Sequence, residues 1–439
     1  MEMKWIVLCI ALFMYALVIL FQEKKVAFST GAALLLVALG IVWPGRIFIG
    51  GSARLSALVH SFTALINWNV LMIYIGSMAI AALFIYSKVP AMIADVIVEK
   101  SPATSVAMVL LLAMTGIISI FVENVATVLV MAPIALALTK KLKLNPTYFM
   151  AGLAVMSNLE GTATLVGDPP SMIFASYAGY TFNDFFVHQG RLSIFFFIQA
   201  GMLAGCFFFY YYFRNAKEKA AAERTAVISP VPAVLLCAMI VGLAAISFLR
   251  TAPPYLSGAY VMLLGGSSLL WYGIAQRRGV RETGRLIAEL DWESIFFLSG
   301  IFVVVGAVAE TGLLEDFSAF LSHVTGGNIF VSFLLIIVVS IFISGFVDNV
   351  PYIIIMLPVA SQLAASLGVP RELLMFALLI GSCLGGNLTP FGASANIVAM
   401  GILKKEGTPM TFKDWIKIGA PFTAITTAAG ALSLWFVWR

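Results

Sequence analysis

The feature that most limits how this chain can fold is its series of long apolar runs, several of which exceed the roughly 18 residues that mark a membrane-spanning helix. Only 11% of the 439 residues are charged, whereas a soluble domain carries about 25%. The sequence therefore predicts an all-α, polytopic membrane protein, and its first run is expected to be a retained span rather than a signal peptide. The predicted apolar segments are 5–21, 26–43, 66–87, 103–139, 148–180, 192–213, 229–249, 257–275, 293–312, 327–365, 371–403 and 415–437.

One pattern occurs twice along the chain. The segment FVENVATVLVMAP begins at Phe121, and FVDNVPYIIIMLP begins at Phe346, half a chain length later. GTATLVGDPPSMI from Gly161 and GNLTPFGASANIV from Gly386 match at the same offset. Because unrelated apolar sequences would not keep one offset between separate polar landmarks, we interpret the chain as a duplication. The predicted units are a first repeat at 1–213, a cytoplasmic linker at 214–228 and a second repeat at 229–439.

The distribution of basic residues predicts how the two repeats are oriented. We interpret 103–139 and 327–365 as re-entrant hairpins, so each repeat has about five crossings and the second repeat is inverted. This topology places 19 of the 26 Lys and Arg residues on the cytoplasmic side, as the positive-inside rule requires. Both termini then lie on the extracellular or periplasmic side of a plasma membrane, which is the inner membrane in a Gram-negative cell. Inverted repeats with interrupted helices are typical of secondary transporters.

Two acids, Glu123 and Asp348, occupy matching positions at the predicted hairpin tips. An ionised carboxylate at the bilayer centre costs about 2.5–3.5 kcal/mol, and intramembrane acids are for that reason commonly functional. The alternative is that each acid only caps a helix end. A buried carboxylate can bind a cation and can also take up a proton, because burial disfavours its charged form. The neighbouring Asn124 and Asn349 can brace the turn or contact a ligand.

Two further segments, 148–180 and 371–403, are predicted to be broken helices. Unwound carbonyl groups and hydroxyl groups at such breaks can surround Na⁺, while helix N-termini favour an anion. Asp168 has no acidic counterpart in the second repeat, and Glu160 matches a glycine, so the role of Glu160 stays open between function and structure. The predicted hinge residues, all Gly or Pro that disfavour a continuous helix, are Gly161, Gly167, Pro169, Pro170, Gly386, Pro390 and Gly392.

The candidate ion-binding residues carry side-chain oxygen atoms near the tips and breaks. They are Ser119, Glu123, Asn124, Ser157, Asn158, Thr162, Thr164, Asp168, Ser344, Asp348, Asn349, Asn387, Thr389, Ser394 and Asn396. Within this set, the possible ligands of Na⁺ are Asn124, Thr164, Asn349 and Thr389. We expect no catalytic residue, no cofactor and no nucleic-acid partner. The expected cargo is a small ion, the expected coupling ion is Na⁺ and/or H⁺, and the protein is expected to lie in the lipid bilayer. The three histidines and four cysteines are scattered, which disfavours a zinc site or a disulfide framework.

These motifs resemble those of the ion transporter superfamily, in the branch of arsenite-efflux permeases, the melanosomal P protein and NhaD-type sodium/proton antiporters. NLEGTATLVGDPPSM at 158–172 is similar to the signature N-(I/L)-G-G-T-x-T-x-I-G-D-P-P-N, with Glu160 and Ser171 in place of a usual Gly and Asn. The FVENV and FVDNV tips are similar to those of the branch, with Glu123 in place of a usual Asp. The chain also resembles a citrate-transporter-like domain and, more distantly, the divalent-anion/sodium symporters. The resemblance implies a homodimer and an elevator mechanism.

The tips and the resemblance together predict a secondary active transporter that exchanges a cation for protons, with Glu123 and Asp348 as its principal sites. The alternative is a Na⁺- or H⁺-coupled transporter of an anion or a metalloid such as arsenite or antimonite. A di- or tricarboxylate is disfavoured, because acids at the tips would repel it. A channel and an intramembrane aspartyl protease are rivals from other classes. Saturable counterflow would favour the carrier over the channel, and a peptide-cleavage assay would detect the protease.

Overall fold

The computed structural model describes residues 3–48, 56–219, 224–249, 253, 255–324 and 326–439. The chain is predominantly helical, and eight helices within these ranges are long and apolar enough to cross a membrane. This agrees with the predicted all-α, multi-pass architecture. Arg54, Arg250 and residues 220–223 of the predicted linker, which entered the topology prediction, lie outside the described residues.

The first half contains ten α-helices and a short β-hairpin in its described part. The helices are α1 (Met3–Leu20), α2 (Lys25–Val42), α3 (Ser56–His60, continued by a π-helical turn over Ser61–Leu65), α4 (Trp68–Tyr86), α5 (Val89–Lys100), α6 (Thr104–Ser119), α7 (Asn124–Lys141), α8 (Thr147–Gly161), α9 (Pro169–Ala178) and α10 (Ile194–Phe213). Short 3₁₀ turns lie at Gln22–Lys24 and Asn183–Phe185. The antiparallel strands β1 (Val187–His188) and β2 (Arg191–Leu192) lie between α9 and α10.

The described part of the second half also contains ten helices. They are α11 (Val231–Ile246), α12 (Leu256–Ile274), α13 (Gly279–Ala288), α14 (Trp292–Glu310), α15 (Leu313–Val324), α16 (Ile329–Ser344), α17 (Asn349–Leu367), α18 (Arg371–Gly385), α19 (Ser394–Lys405) and α20 (Phe412–Trp438). Helices α4 to α9 and α14 to α19 correspond in order, and the offset between the starts of paired helices is the same to within one position.

Four helix pairs lie where the sequence predicts hairpins and broken helices. Each pair is two helices separated by four to eight non-helical residues, at 120–123, 162–168, 345–348 and 386–393. Pro169 starts α9 with its fixed φ, and a proline at this position loses no helical hydrogen bond. The non-helical segments place unpaired backbone groups inside the molecule, where only protein or a polar cavity can satisfy them.

Four helices lie where the sequence predicts only loops, namely α3, α5, α13 and α15. Helices α5 and α15 have 12 residues each and α13 has 10, so none is long enough to span a bilayer. A search for long apolar runs therefore passes over them. None of the side chains of α13 is buried, and this helix lies on the surface.

Sixteen of the twenty described helices fall into two groups by their contacts. The paired-helix group consists of α1, α2, α4, α11, α12 and α14, in which α4 packs along α12 and α2 packs along α14. The hairpin group consists of α6 to α10 and α16 to α20, in which α8 packs against α6 and α7, and α18 packs against α16 and α17. Both groups therefore take helices from both halves of the chain.

Two glycines at matching positions allow the close helix crossings of the paired-helix group. A Cβ atom at Gly76 of α4 would lie 2.5 Å from the Val261 carbonyl oxygen of α12. A Cβ atom at Gly300 of α14 would lie 2.8 Å from the Ser29 carbonyl carbon of α2. Small residues bring helix backbones together in membranes, where dispersion contacts rather than water expulsion drive association. Each half therefore uses a glycine to allow its close helix crossing.

Candidate functional site

A cavity of about 510 Å³ lies between the two non-helical tips, and we call it the tip cavity. It extends from these tips to the exposed side chains of Glu23 and Glu293, at the ends of helices in the paired-helix group. Of the residues predicted from sequence, its wall includes Glu123, Asn124, Asn158, Asp168, Pro169, Asp348, Asn349, Gly392 and Ser394. The remaining predicted residues lie behind this wall.

Glu123 and Asp348 each perform two tasks at once. The Glu123 carboxylate accepts a hydrogen bond from the Ala126 backbone N–H at 3.0 Å and caps α7. Asp348 accepts one from the Val350 N–H at 3.1 Å and caps α17. A carboxylate has about four acceptor positions, and both side chains also line the tip cavity. Helix capping, the structural alternative, therefore does not use up their capacity to hold a ligand.

Asn124 connects the first tip to the first break. Its Oδ1 accepts a hydrogen bond from the Ser119 hydroxyl at 2.7 Å, and its Nδ2 donates to Asp168 Oδ2 at 3.1 Å. The Ser157 hydroxyl donates to the Asn124 carbonyl at 3.1 Å and lies 2.9 Å from the Ser119 hydroxyl. The amide of Asn124 thus fixes the direction in which the Asp168 carboxylate faces the cavity.

Two threonines fasten the tips to the breaks in the same way in both halves. The Thr164 hydroxyl donates to the Ile120 carbonyl of the first tip at 2.5 Å. The Thr389 hydroxyl donates to the Gly345 carbonyl of the second tip. Donor and acceptor thus occupy equivalent positions in the two repeats. Both threonines are fully buried, so each hydroxyl satisfies a carbonyl that water cannot reach.

A cluster of three amides joins the halves at the centre of the hairpin group. Asn158 Nδ2 donates to Asn387 Oδ1 at 2.8 Å and to Asn396 Oδ1 at 2.9 Å. Asn396 donates in turn to the carbonyls of Gly386 and Thr389 at 2.9 and 3.0 Å. The two broken helices are therefore held together by side chains that the sequence predicts as ion ligands.

The other predicted oxygen-bearing residues are buried and engaged behind the wall. The Thr162 hydroxyl donates to the Asn158 carbonyl at 3.3 Å. The Ser344 hydroxyl donates to the Ser382 carbonyl at 2.5 Å. The four predicted ligands of Na⁺ separate, because Asn124 and Asn349 line the cavity while the two threonines lie behind it.

The wall also contains residues that sequence reasoning missed, and they come from the paired-helix group. Tyr74 of α4 donates to Asp291 Oδ2 at 3.3 Å, and Asp291 caps α14. Lys25 and Glu293 lie 3.9 Å apart at the opposite end of the cavity from the tips. Lys25 carried only a topology signal in the sequence, and neither Asp291 nor Glu293 carried a signal for the site. Tyr74 is one aromatic residue within an apolar run, and nothing local marks it.

The charges of the cavity wall are strongly unequal. Among the described residues that line it, the acids are Glu23, Glu123, Asp168, Asp291, Glu293 and Asp348, and the one basic residue is Lys25. Within the described ranges, no group of three or more His, Cys, Asp or Glu side chains is arranged to hold a metal ion. The described part of the wall is thus acidic.

Four helices, α7, α9, α17 and α19, begin at this cavity. Helix N-termini carry partial positive charge, and an acid occupies the N-cap position of three of them. These N-cap residues are Glu123, Asp168 and Asp348, of which Glu123 and Asp348 also accept a hydrogen bond from their own helix, whereas the N-cap residue of α19 is Ala393. Of these four helices, α19 is therefore the one whose N-cap residue carries no carboxylate.

Comparison with known proteins agrees with this architecture. A family described as citrate transporter matches residues 15–381 and 317–439. An uncharacterized transporter of Mycobacterium tuberculosis is 31% identical over 427 residues, which is 96% of both chains. The human P protein is 23% identical over 472 residues, covering 87% of this chain and 56% of its own length.

Two solved structures have a similar fold. The YdaH transporter of Alcanivorax borkumensis superposes with a TM-score of 0.60 at 14% identity, over 94% of this chain and 97% of its own. MtrF of Neisseria gonorrhoeae, from a class of antimetabolite efflux pumps, gives 0.56 at 15% identity, over 93% and 94%. At these identities the comparison concerns the fold alone.

The helical fold, the cavity between interrupted helices and these relatives together define a multi-pass secondary membrane transporter. The chain belongs to the citrate transporter family. The resemblance to the ion transporter superfamily, including the P protein, is confirmed.

Proposed function

We propose that this transporter exchanges a small cation, with Na⁺ as the first candidate, for protons at the tip cavity. The observation that carries the proposal is the charge of the cavity wall, whose described residues include six carboxyl side chains and a single Lys side chain. Such a wall attracts a cation and repels a free anion. Bound protons and a bound cation neutralise the same carboxylates. The two therefore compete for one site, which is the basis of exchange.

We also propose that the two halves are inverted repeats and that transport follows an elevator mechanism. In this proposal the hairpin group carries the site across the bilayer, while the paired-helix group remains as a scaffold and forms a homodimer in the plasma membrane. Support comes from the near-constant offset of α4 to α9 and α14 to α19 and from the reciprocal packing of α4 on α12 and α2 on α14. Repeats of this kind place the site where they meet.

Proton flux in proteoliposomes with an imposed pH gradient tests the exchange. We expect added Na⁺ to collapse the gradient with saturation, and Glu123→Gln or Asp348→Asn to remove the response. Stimulation of uptake by Na⁺ on the opposite side would distinguish a carrier from a channel. Failure of Na⁺, Li⁺ and K⁺ alike to move protons would overturn the exchange proposal.

A second candidate is transport of a carboxylate together with its counter-cation. Two observations favour it, namely the citrate transporter family and the N-terminus of α19 at the cavity, whose N-cap residue, Ala393, is not an acid. Backbone N–H groups at a helix start can hold a carboxylate, while the acids of the tips would hold the accompanying cation. Free citrate would be repelled by the same acids.

Uptake of labelled citrate separates the two candidates. The carboxylate hypothesis requires citrate uptake that depends on an accompanying cation at constant pH. Cation/proton exchange requires Na⁺-driven proton flux in liposomes that contain no citrate. A protein that shows only the first response is a carboxylate transporter, and one that shows only the second is an exchanger.

A further inference from the structure

Glu160 is a buried acid that lies outside the tip cavity. Its exposed fraction is 0%, and it does not contribute to the cavity wall. It follows Asn158 by two positions on α8, which turns its side chain by roughly 200° around the helix axis. Glu160 therefore lies on the side of α8 that packs against α6 and α10, away from the cavity-lining Asn158.

The space for this side chain comes from a glycine. A Cβ atom at Gly116 of α6 would lie 2.7 Å from Glu160 Cγ. At the corresponding crossing in the second half, Gly385 takes the place of Glu160, and its Cβ would lie 2.7 Å from Ile341 Cα. The second half thus closes the crossing by direct backbone contact, whereas the first half leaves room for an acid.

The partners of the Glu160 carboxyl group are few and neutral. Gln199 Nε2 of α10 donates to Glu160 Oε2 at 2.6 Å, and Glu160 Oε1 has no hydrogen-bond partner. The Cys206 thiol on α10 also interacts with it electrostatically. Throughout the described ranges, no Lys, Arg or His nitrogen lies within ion-pair distance of this carboxyl group.

We propose that Glu160 is a second proton-binding site, separate from the tip cavity, and that its proton is retained when a cation enters the cavity. An isolated carboxylate in such surroundings lacks both water and a counter-charge, so the neutral acid is the form that burial permits. The carbonyl oxygen of the neutral acid accepts the Gln199 bond. This inference goes beyond the proposed exchange, because it assigns one intramembrane acid to a fixed proton and leaves exchange to the acids of the cavity.

Infrared spectroscopy of the purified protein tests the site directly. A protonated carboxylic acid has a carbonyl stretching band that a carboxylate lacks. In a Glu123→Gln/Asp168→Asn/Asp348→Asn background, which removes the three cavity acids at the helix starts, we expect this band at neutral pH and its loss on adding Glu160→Gln. In the chain with intact cavity acids, we expect the Glu160 band to persist at saturating Na⁺.

Gln199→Leu is the second variant, because it leaves the acid in place and removes its donor. We expect the band to move to higher frequency while its intensity stays at one acid per chain. Absence of the band at neutral pH would overturn the proposal, as would its disappearance when Na⁺ saturates the protein. Failure of the exchange proposal would instead leave the Glu160 band present and show no effect of Na⁺ on the cavity acids.

Discussion

At the scale of single residues, the chain uses the same carboxylates to cap the start of a helix and to line a cavity. Glu123 and Asp348 cap α7 and α17 through backbone N–H groups and still line the wall. This combination allows structure and charge to be separated experimentally. Asparagine caps a helix about as well as aspartate, so an amide can preserve the local fold while it removes the charge.

We therefore expect Asp348→Asn to insert and fold normally but to bind its cation about 10- to 100-fold more weakly, since contacts to a charged group contribute about 1.5–3 kcal/mol. Cation-dependent proton flux and thermal unfolding in detergent measure the two effects. Glu289→Gln is the control, because Glu289 forms an exposed ion pair with Arg285 on the surface. Normal flux in Asp348→Asn would remove this acid from the mechanism.

The fastening threonines give a second prediction. Thr164→Val keeps the side-chain shape but leaves the buried Ile120 carbonyl without its donor, and we expect a loss of about 1–3 kcal/mol in unfolding free energy. Thr389→Val should cost a similar amount, because its acceptor is the equivalent carbonyl of Gly345. Thr63→Val is the control, since the Thr63 hydroxyl donates to a carbonyl in an exposed helix turn. Equal stability of Thr164→Val and Thr63→Val would contradict this role.

At the scale of helices and their breaks, the close packing of the second break leaves no room for a side chain at Gly392. A Cβ atom at Gly392 would lie 2.6 Å from the Gly386 carbonyl oxygen and 2.9 Å from that of Gly345. The second break and the second tip are therefore in direct backbone contact at this glycine. The tip and the break are expected to move as one piece.

We expect Gly392→Ala to destabilise the protein by about 1–3 kcal/mol, because the added methyl group must displace backbone atoms. Gly401→Ala is the matched control, because Gly401 lies further along the chain, within α19. No atom lies within 4 Å of the position that its methyl group would take, and alanine favours helix by up to about 1 kcal/mol over glycine. Thermal unfolding of both variants should move in opposite directions, and a similar shift in both would argue against the packing explanation.

The sequence was informative about these elements where a polar or helix-breaking residue interrupts an apolar run. Glu123, Asp348 and the hinge glycines break a hydrophobic pattern, so they are visible without any knowledge of tertiary contacts. Tyr74 and Asp291 reach the same cavity from α4 and α14, far away along the chain. Their proximity to the tips results from helix packing, and a single sequence contains no signal for it.

At the scale of the whole molecule, the two helix groups and the distribution of basic residues predict which parts face each side of the membrane. The β1–β2 hairpin belongs to the predicted outer side, and α13 belongs to the predicted cytoplasmic side. Two valines at these places, Val187 and Val280, are 52% and 92% exposed. The pair offers a matched test of topology, because the same substitution can be made at both sites.

We expect a membrane-impermeant maleimide to label Val187→Cys in intact cells and to label Val280→Cys only after permeabilisation. Both variants are made in a background that lacks the four native cysteines, Cys9, Cys206, Cys237 and Cys383. The labelled fraction on a denaturing gel is the readout. The reverse pattern would show that the cytoplasmic and outer sides are exchanged. Labelling of both variants in intact cells would exclude the inverted arrangement.

The shape of the tip cavity also makes the transporter vulnerable to blockers from one side. Its far end lies at the α1–α2 turn and the start of α14, both of which belong to the predicted cytoplasmic side. A bulky organic cation that cannot cross lipid should inhibit when it is enclosed with this face and have no effect from the other. In oriented vesicles, such a compound would inhibit transport from one side only, by binding to the acids of the wall.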